Sequence, residues 1–252
     1  MIKIEFHYTY ILMALGFVLT GHMTNLLIFT LIILIHEMGH YLIALRNGFN
    51  VLKITIYPYG GMTKLNYNIN EKISKELEVA FGGIFFQIIF YLIMVLLYNY
   101  GCVREYIFDM YKQYNISILM FNILPIYPLD GGKILNLLLF EILPYKLANK
   151  VTVYLSLIII IVIMVYNYYE FNYTMFLTLS ILLEGIYKYY RDIDYLFNKF
   201  LLERYLYKIM YNKIKITNKL DKMQRDRTHI FKVKNRYISE EIALNKRFSG
   251  KM

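Results

Sequence analysis

The chain has 252 residues, 58% of them hydrophobic, with a mean hydropathy of +0.41; a soluble domain runs nearer half apolar. Its formal net charge is +10, yet from Lys188 onward there are 17 Lys and Arg against 7 Asp and Glu, so the whole excess lies in the last quarter. A basic tail after an apolar body reads as a cytoplasmic segment facing anionic lipid headgroups. No nucleic-acid motif accompanies it, and the single cysteine, Cys102, excludes an internal disulfide or a Cys-based metal centre.

The apolar residues gather in runs long enough to cross a bilayer, which takes about 20 residues per helix. The sequence predicts an all-α polytopic membrane protein with about six segments. The first is Tyr8–Leu19, and no cleavage-site pattern surrounds it, so it is expected to be retained. The second is Asn25–Leu45 and the third Leu77–Tyr98. The fourth, Ile116–Phe140, is broken by Pro125 and Pro128. The fifth is Val151–Tyr166 and the sixth Tyr173–Tyr189. An even number of spans places both termini on one side, and the basic tail makes that side cytoplasmic. The loops after the second and fourth segments are basic, with Arg46, Lys53, Lys64, Lys72, Lys75, Lys146 and Lys150. The loop between the first two segments and the loop Asn167–Asn172 hold no Lys or Arg, as the positive-inside rule expects.

Residues Val51–Leu65, VLKITIYPYGGMTKL, read as strand, turn, strand. An open hairpin cannot face lipid with its edge unpaired, so this one is expected at the surface or packed on the helices. From Leu201 the pattern is helical and amphipathic, and the last 30 residues read as a polar, adaptable arm. The expected division is a membrane domain over 1–190 and a basic cytoplasmic tail over 191–252.

The second segment contains His36-Glu37-Met38-Gly39-His40. Two imidazoles four apart share a helix face and can ligate one Zn²⁺, with the intervening carboxylate as general base. His36 falls about 11 residues, or about 16 Å, into the segment, near mid-bilayer. Ionisable side chains there are costly, and a polar cluster that merely ties helices together is the plainer alternative. A catalytic zinc needs a third protein ligand. Glu184, Glu141 and Asp130 are the candidates at membrane depth. His22, His7 and His229 fall outside it. Asp130 is preferred, because it ends Asn122-Ile-Leu-Pro-Ile-Tyr-Pro-Leu-Asp-Gly-Gly132, where two prolines break the helix and two glycines admit close backbone. It could equally cap the helix that follows.

At these residues the chain resembles the site-2 protease family of intramembrane metalloproteases. HEMGH matches its HExxH motif and NILPIYPLDGG its second motif, ending in Leu-Asp-Gly; within the family the resemblance is closest to the subgroup of stage IV sporulation protein FB. It implies one zinc per chain on His36, His40 and Asp130, with Glu37 as catalytic base. It also implies substrate contacts at Asn122 and Pro128, and at a strand region near Tyr57, Gly60 and Gly61 that can pair with an extended substrate. The implied substrate is a membrane-tethered protein, pro-sigma-K, cut by regulated proteolysis at the mother-cell or forespore membrane, under inhibitory membrane-protein regulators. There are two departures. The family's Gly-Pro-x-x-Asn in the third segment is here Gly83-Ile-Phe-Phe-Gln87, and the tail lacks the pattern of the nucleotide-binding CBS domain that ends the sporulation members. A zinc hydrolase of another substrate, or a non-enzymatic metal-binding scaffold, would share the first motif.

Overall fold

The computed structural model describes residues 3–58, 60–66, 68–167, 173–233 and 236–249. The chain divides into two compact units, Met1–Tyr67 with Leu77–Leu124, and Asn68–Glu76 with Pro125–Met252.

The first unit carries β1 (Ile4–Phe6), α1 (Tyr8–Leu19), α2 (Met23–Arg46), β2 (Asn50–Tyr57), β3 (Gly60–Asn66), most of α3 (Ile73–Asn99) and α4 (Glu105–Ile123). The expected hairpin is present. β2 pairs antiparallel with β3, and β1 adds in parallel on the other side of β2. Ile54 and Ile56 are buried, so the sheet has an apolar inner face. It packs on α2, which covers the strands a lipid-facing hairpin would leave unsatisfied. Outward, α3 presents Phe81, Phe85, Leu92, Ile93 and Leu96. An apolar face of that extent suits lipid rather than water. Among the described residues α2, α3 and α6 are long and apolar enough to cross a membrane, whereas α1 is apolar but shorter.

The second unit carries α5 (Asp130–Ile142), α6 (Tyr145–Tyr166), α7 (Tyr173–Tyr207), β4 (Ile214–Thr217), β5 (Thr228–Val233), β6 (Arg236–Ser239) and α8 (Glu240–Phe248). Three expectations are corrected. The fold is mostly helical rather than all-α, because it holds two three-stranded sheets. The helix before the proline break begins at Glu105, not Ile116; a glutamate in a first turn favours a helix start at that point. The described residues of the tail are folded: β5 pairs in parallel with β4 and antiparallel with β6. Phe231, Leu244 and Met223 are buried there, and Ser239 Oγ caps α8 by accepting from Ile242 N. Of the loop expected over Asn167–Asn172, all but Asn167 lies outside the described residues, as does Tyr59 at the hairpin tip.

Helix α7 continues well past Tyr189. Ile193, Phe197, Phe200 and Leu201 are buried on one stripe, the spacing of an amphipathic helix on a core. Its last turns meet a buried polar cluster. Arg204 donates to Asn70 Oδ1 (2.7 Å), Arg227 O (2.8 Å), Gln224 O (3.0 Å) and Glu240 Oε1 (3.0 Å). Asp226 Oδ2 accepts from Ile73 N at 3.0 Å, capping the start of α3.

His229 belongs to this cluster. Its Nε2 accepts from Gln224 N at 3.1 Å, so the ring is neutral with its proton on Nδ1, 3.4 Å from Glu240 Oε2. Burial above all, with the nearby Arg204 charge, pushes the His229 pKa below its usual 6.5, against the pull of Glu240. Burial would raise Glu240, but its bonds with His229 and Arg204 prevail and hold it below the usual carboxylate value. Both folded pKa values are depressed, so the unfolded chain takes up protons first as pH falls. Stability is therefore complete above about pH 6.5 and is lost as pH drops through the folded pKa of His229, then further in the carboxylate range. Thermal unfolding in detergent between pH 8 and 5 should show a Tm that falls on the acid side, and His229→Phe should flatten that slope.

Candidate active site

Helix α2 places His36 and His40 one turn apart with Glu37 between them, and all three are buried, 3%, 6% and 3% exposed respectively. The imidazole rings are 4.8 Å apart, nearly perpendicular, with their Nε2 atoms 3.1 Å from each other.

The protonation of both rings follows from their partners. His40 Nδ1 lies 2.8 Å from Val79 O. A carbonyl only accepts, so this nitrogen carries the proton. His36 Nδ1 lies 2.9 Å from Gln87 Oε1. The amide orientation of Gln87 is set independently, because its Nε2 donates to the backbone O of Asn115 at 3.0 Å. Gln87 therefore turns oxygen toward His36, and His36 Nδ1 is also a donor. With Nδ1 of each ring engaged elsewhere, Nε2 is the atom that each histidine offers to a cation, and the two stand 3.1 Å apart. That spacing suits two ligands sharing one cation. Two tetrahedral zinc ligands at about 2.0–2.1 Å lie roughly 3.3 Å apart.

The space in front of the lone pairs is kept by a glycine. A Cβ built on Gly83 would stand 2.6 Å from His36 Nε2 and 2.4 Å from His40 Nε2. Helix α3 comes this near because two further glycines meet: a Cβ on Gly39 would fall 2.3 Å from Gly82 O. Such backbone-to-backbone approach is how membrane helices pack around small residues. Among the described residues, His36, Glu37 and His40 form the one group of three or more His, Cys, Asp or Glu side chains arranged to hold a metal ion.

A scan of family models matches residues 24–105 and 99–166 to peptidase family M50. The chain belongs to that family. Stage IV sporulation protein FB of Bacillus subtilis is 33% identical over 210 residues, 81% of this chain and 72% of that protein. A zinc metalloprotease of Methanocaldococcus jannaschii is 25% identical over 184 residues, covering 68% of this chain but 52% of its own length. A solved structure described as a site-2 protease from M. jannaschii superposes with a TM-score of 0.60 at 19% identity. It covers 73% of this chain and 89% of the solved one, a likeness of fold. Metalloprotease chemistry and a zinc site are thus family properties of this chain, and its His-Glu-His group supplies donors of the right kind.

Glu37 is held from the sheet. Thr63 on β3 donates its hydroxyl to Glu37 Oε2 at 2.7 Å. Gly61 on the same strand lies so close that an added Cβ would be 2.2 Å from Glu37 Cγ. The substrate-side expectations divide. Gly61 touches the candidate base, and Gly60, with φ +147, opens the strand beside it. Tyr57 lies against His7, with the rings tilted at 35° and their centroids 4.7 Å apart. Asn122 sits in the last turn of α4, partly buried.

Asp130 lies in the second unit, as the first residue of α5, 4% exposed and paired with Lys133 Nζ at 2.9 Å. The turn before it is braced within that unit. Tyr127 N donates to Ser156 Oγ (3.0 Å), and the Tyr127 ring stacks on Tyr189 at 3.8 Å. Asn136 donates to Tyr189 OH (2.7 Å) and Asn149 Oδ1 (3.2 Å). A Cβ on Gly132 would strike the Ile126 and Tyr127 backbone at 2.4 Å, and one on Gly185 would crowd Pro128 at 3.1 Å. The competing carboxylates fare differently: Glu184 is exposed and pairs with Lys188, and Glu141 is exposed. His7 and His22 stand at the starts of α1 and α2.

Sequence reasoning did not foresee that Val79, Gly83 and Gln87 serve the histidines together. They recur every four residues along α3, so one helix face supplies a carbonyl, a gap and an amide. That spacing was the available signal. Thr63 and Asn115 had none.

Proposed function

We propose that this M50 member is an intramembrane zinc endopeptidase, with one zinc per chain held by His36, His40 and Asp130 and with Glu37 as general base. The observation that carries the reading is the pair of Nε2 atoms 3.1 Å apart, each ring oriented through its Nδ1, beside a buried carboxylate within one group of metal-ligating side chains. When bound, zinc supplies a Lewis acid that acidifies water and polarises a peptide carbonyl. Glu37 takes the proton of the attacking water and passes it to the leaving amine, while Thr63 fixes which carboxylate oxygen is presented. The proposed substrate is a membrane-tethered protein whose cut segment is extended, paired along the β3 edge and met by Asn122 and Pro128. Edge pairing exposes a peptide bond that a helix would hide. By the sporulation resemblance pro-sigma-K is the first candidate, and membrane proteins that hold the protease silent are its expected regulators. The positive loops and tail support cytoplasmic termini and a cut on the cytoplasmic side.

The test is cleavage of a membrane-tethered substrate by purified protein. Glu37→Gln should lower the rate by about 10²–10⁴-fold with zinc content unchanged, and Asp130→Asn should lower zinc content. Unimpaired cleavage by Glu37→Gln would remove the mechanism. Undiminished zinc in Asp130→Asn would remove Asp130 as the third ligand.

A further inference from the structure

Helix α3 does more than pack against α2. Gln87 is 1% exposed, and all its polar atoms are committed. Its oxygen faces His36 Nδ1 at 2.9 Å. Its nitrogen donates to two acceptors of a single residue on α4, Asn115 O at 3.0 Å and Asn115 Oδ1 at 3.2 Å. Asn115 is itself 2% exposed. The order His36, Gln87, Asn115 thus links three helices through buried hydrogen bonds.

This chain has directional content. The backbone carbonyl of Asn115 can only accept, so the Gln87 amide cannot flip without setting its oxygen against an oxygen. With the flip blocked, His36 Nδ1 must keep its proton, and Nε2 is the nitrogen turned toward the metal position. A rotated or retautomerised imidazole would put N–H where a lone pair is needed. His40 receives the same service from Val79 O, but that partner is main chain and no side-chain substitution can remove it. Gln87 is the adjustable half.

We infer that Gln87, oriented by Asn115, is the positioning residue that fixes His36 as a metal ligand through its Nδ1. The inference rests on the zinc reading above. Partners that orient a ligating histidine are commonly worth about 10–100-fold in metal affinity, because they hold the ring in register and strengthen it as a donor. A residue that merely filled the gap between α2, α3 and α4 would be replaceable by an apolar side chain of equal volume.

The experiment compares wild type, Gln87→Met, Gln87→Glu and His36→Ala, purified in detergent. Zinc retention is measured against a chelator, and the visible absorption of the cobalt-loaded protein is recorded. Gln87→Met, which fills the same space without an acceptor, should weaken zinc binding by about 10–100-fold and shift the cobalt bands. Gln87→Glu, with its second oxygen protonated so that it still donates to Asn115 O, keeps an oxygen toward Nδ1 and should restore retention to within a few-fold of wild type. Folded Gln87→Met with wild-type retention and an unchanged cobalt spectrum would overturn the inference. Should Gln87→Met fail to fold, Gln87→Glu decides. A carboxyl oxygen in place of the amide oxygen changes the partner of Nδ1 and must move the cobalt bands; an unmoved spectrum overturns the inference. His36→Ala separates the two readings: if wild type holds no more metal than His36→Ala, the zinc site itself is wrong rather than the role of Gln87.

Discussion

A Gly83→Ala variant is expected to emerge from purification folded but without zinc. Alanine is the better helix former by about 1 kcal/mol, so the substitution does not weaken α3 itself. The whole conflict lies at one point, where the new methyl carbon would stand 2.4 and 2.6 Å from the two facing Nε2 atoms. Neither ring can retreat cheaply: His40 is tied through Nδ1 to Val79 O, and His36 through Nδ1 to Gln87. The methyl therefore takes the place that a shared cation would occupy. Loss of a metal that supplies several kcal/mol of transition-state stabilisation should reduce cleavage by about a thousandfold or more. Elemental analysis of zinc per chain, read beside Tm, checks this. Full zinc content in folded Gly83→Ala would mean that the histidines ligate from another face.

The sequence showed the ligand pair, the hairpin and the break before Asp130, because each is written in local spacing. Four residues between His36 and His40 make one helix face, Pro125 and Pro128 stop a helix, and Pro58-Tyr-Gly-Gly turns a strand. What it did not show is whatever depends on two distant segments meeting. Thr63 reaches Glu37 and Asn115 reaches Gln87 only once helices and sheet are assembled, and an isolated threonine or asparagine carries no mark of its partner. The folded tail was hidden for another reason. Its strands β4, β5 and β6 are short and set among segments rich in lysine and arginine, so charge density masked the alternation in Thr228–Val233 that buries His229 and Phe231. Its buried polar cluster around Arg204 replaces much of the apolar core by which a small domain is usually recognised.

Gly61→Ala should leave zinc in place and still abolish most cleavage, which makes it the counterpart of Gly83→Ala. The added Cβ would lie 2.2 Å from Glu37 Cγ, 2.5 Å from Cδ and 2.6 Å from Oε1. These are atoms of the candidate base and not of a ligand. Strand β3 is fixed along its length by pairing with β2, including Gly61 opposite Ile56, so the side chain that yields is Glu37. Once displaced, its carboxylate loses the Thr63 hydroxyl at 2.7 Å and its register with the water it must deprotonate. The expected fall approaches that of Glu37→Gln, about 10²–10⁴-fold, without change in zinc per chain. Shortening Glu37 to aspartate in the Gly61→Ala background removes the crowded carbon and should recover part of the lost rate. Recovery of that kind would assign the defect to the base. A double variant no better than Gly61→Ala, with zinc retained in both, would place the role of Gly61 in pairing with substrate along the β3 edge.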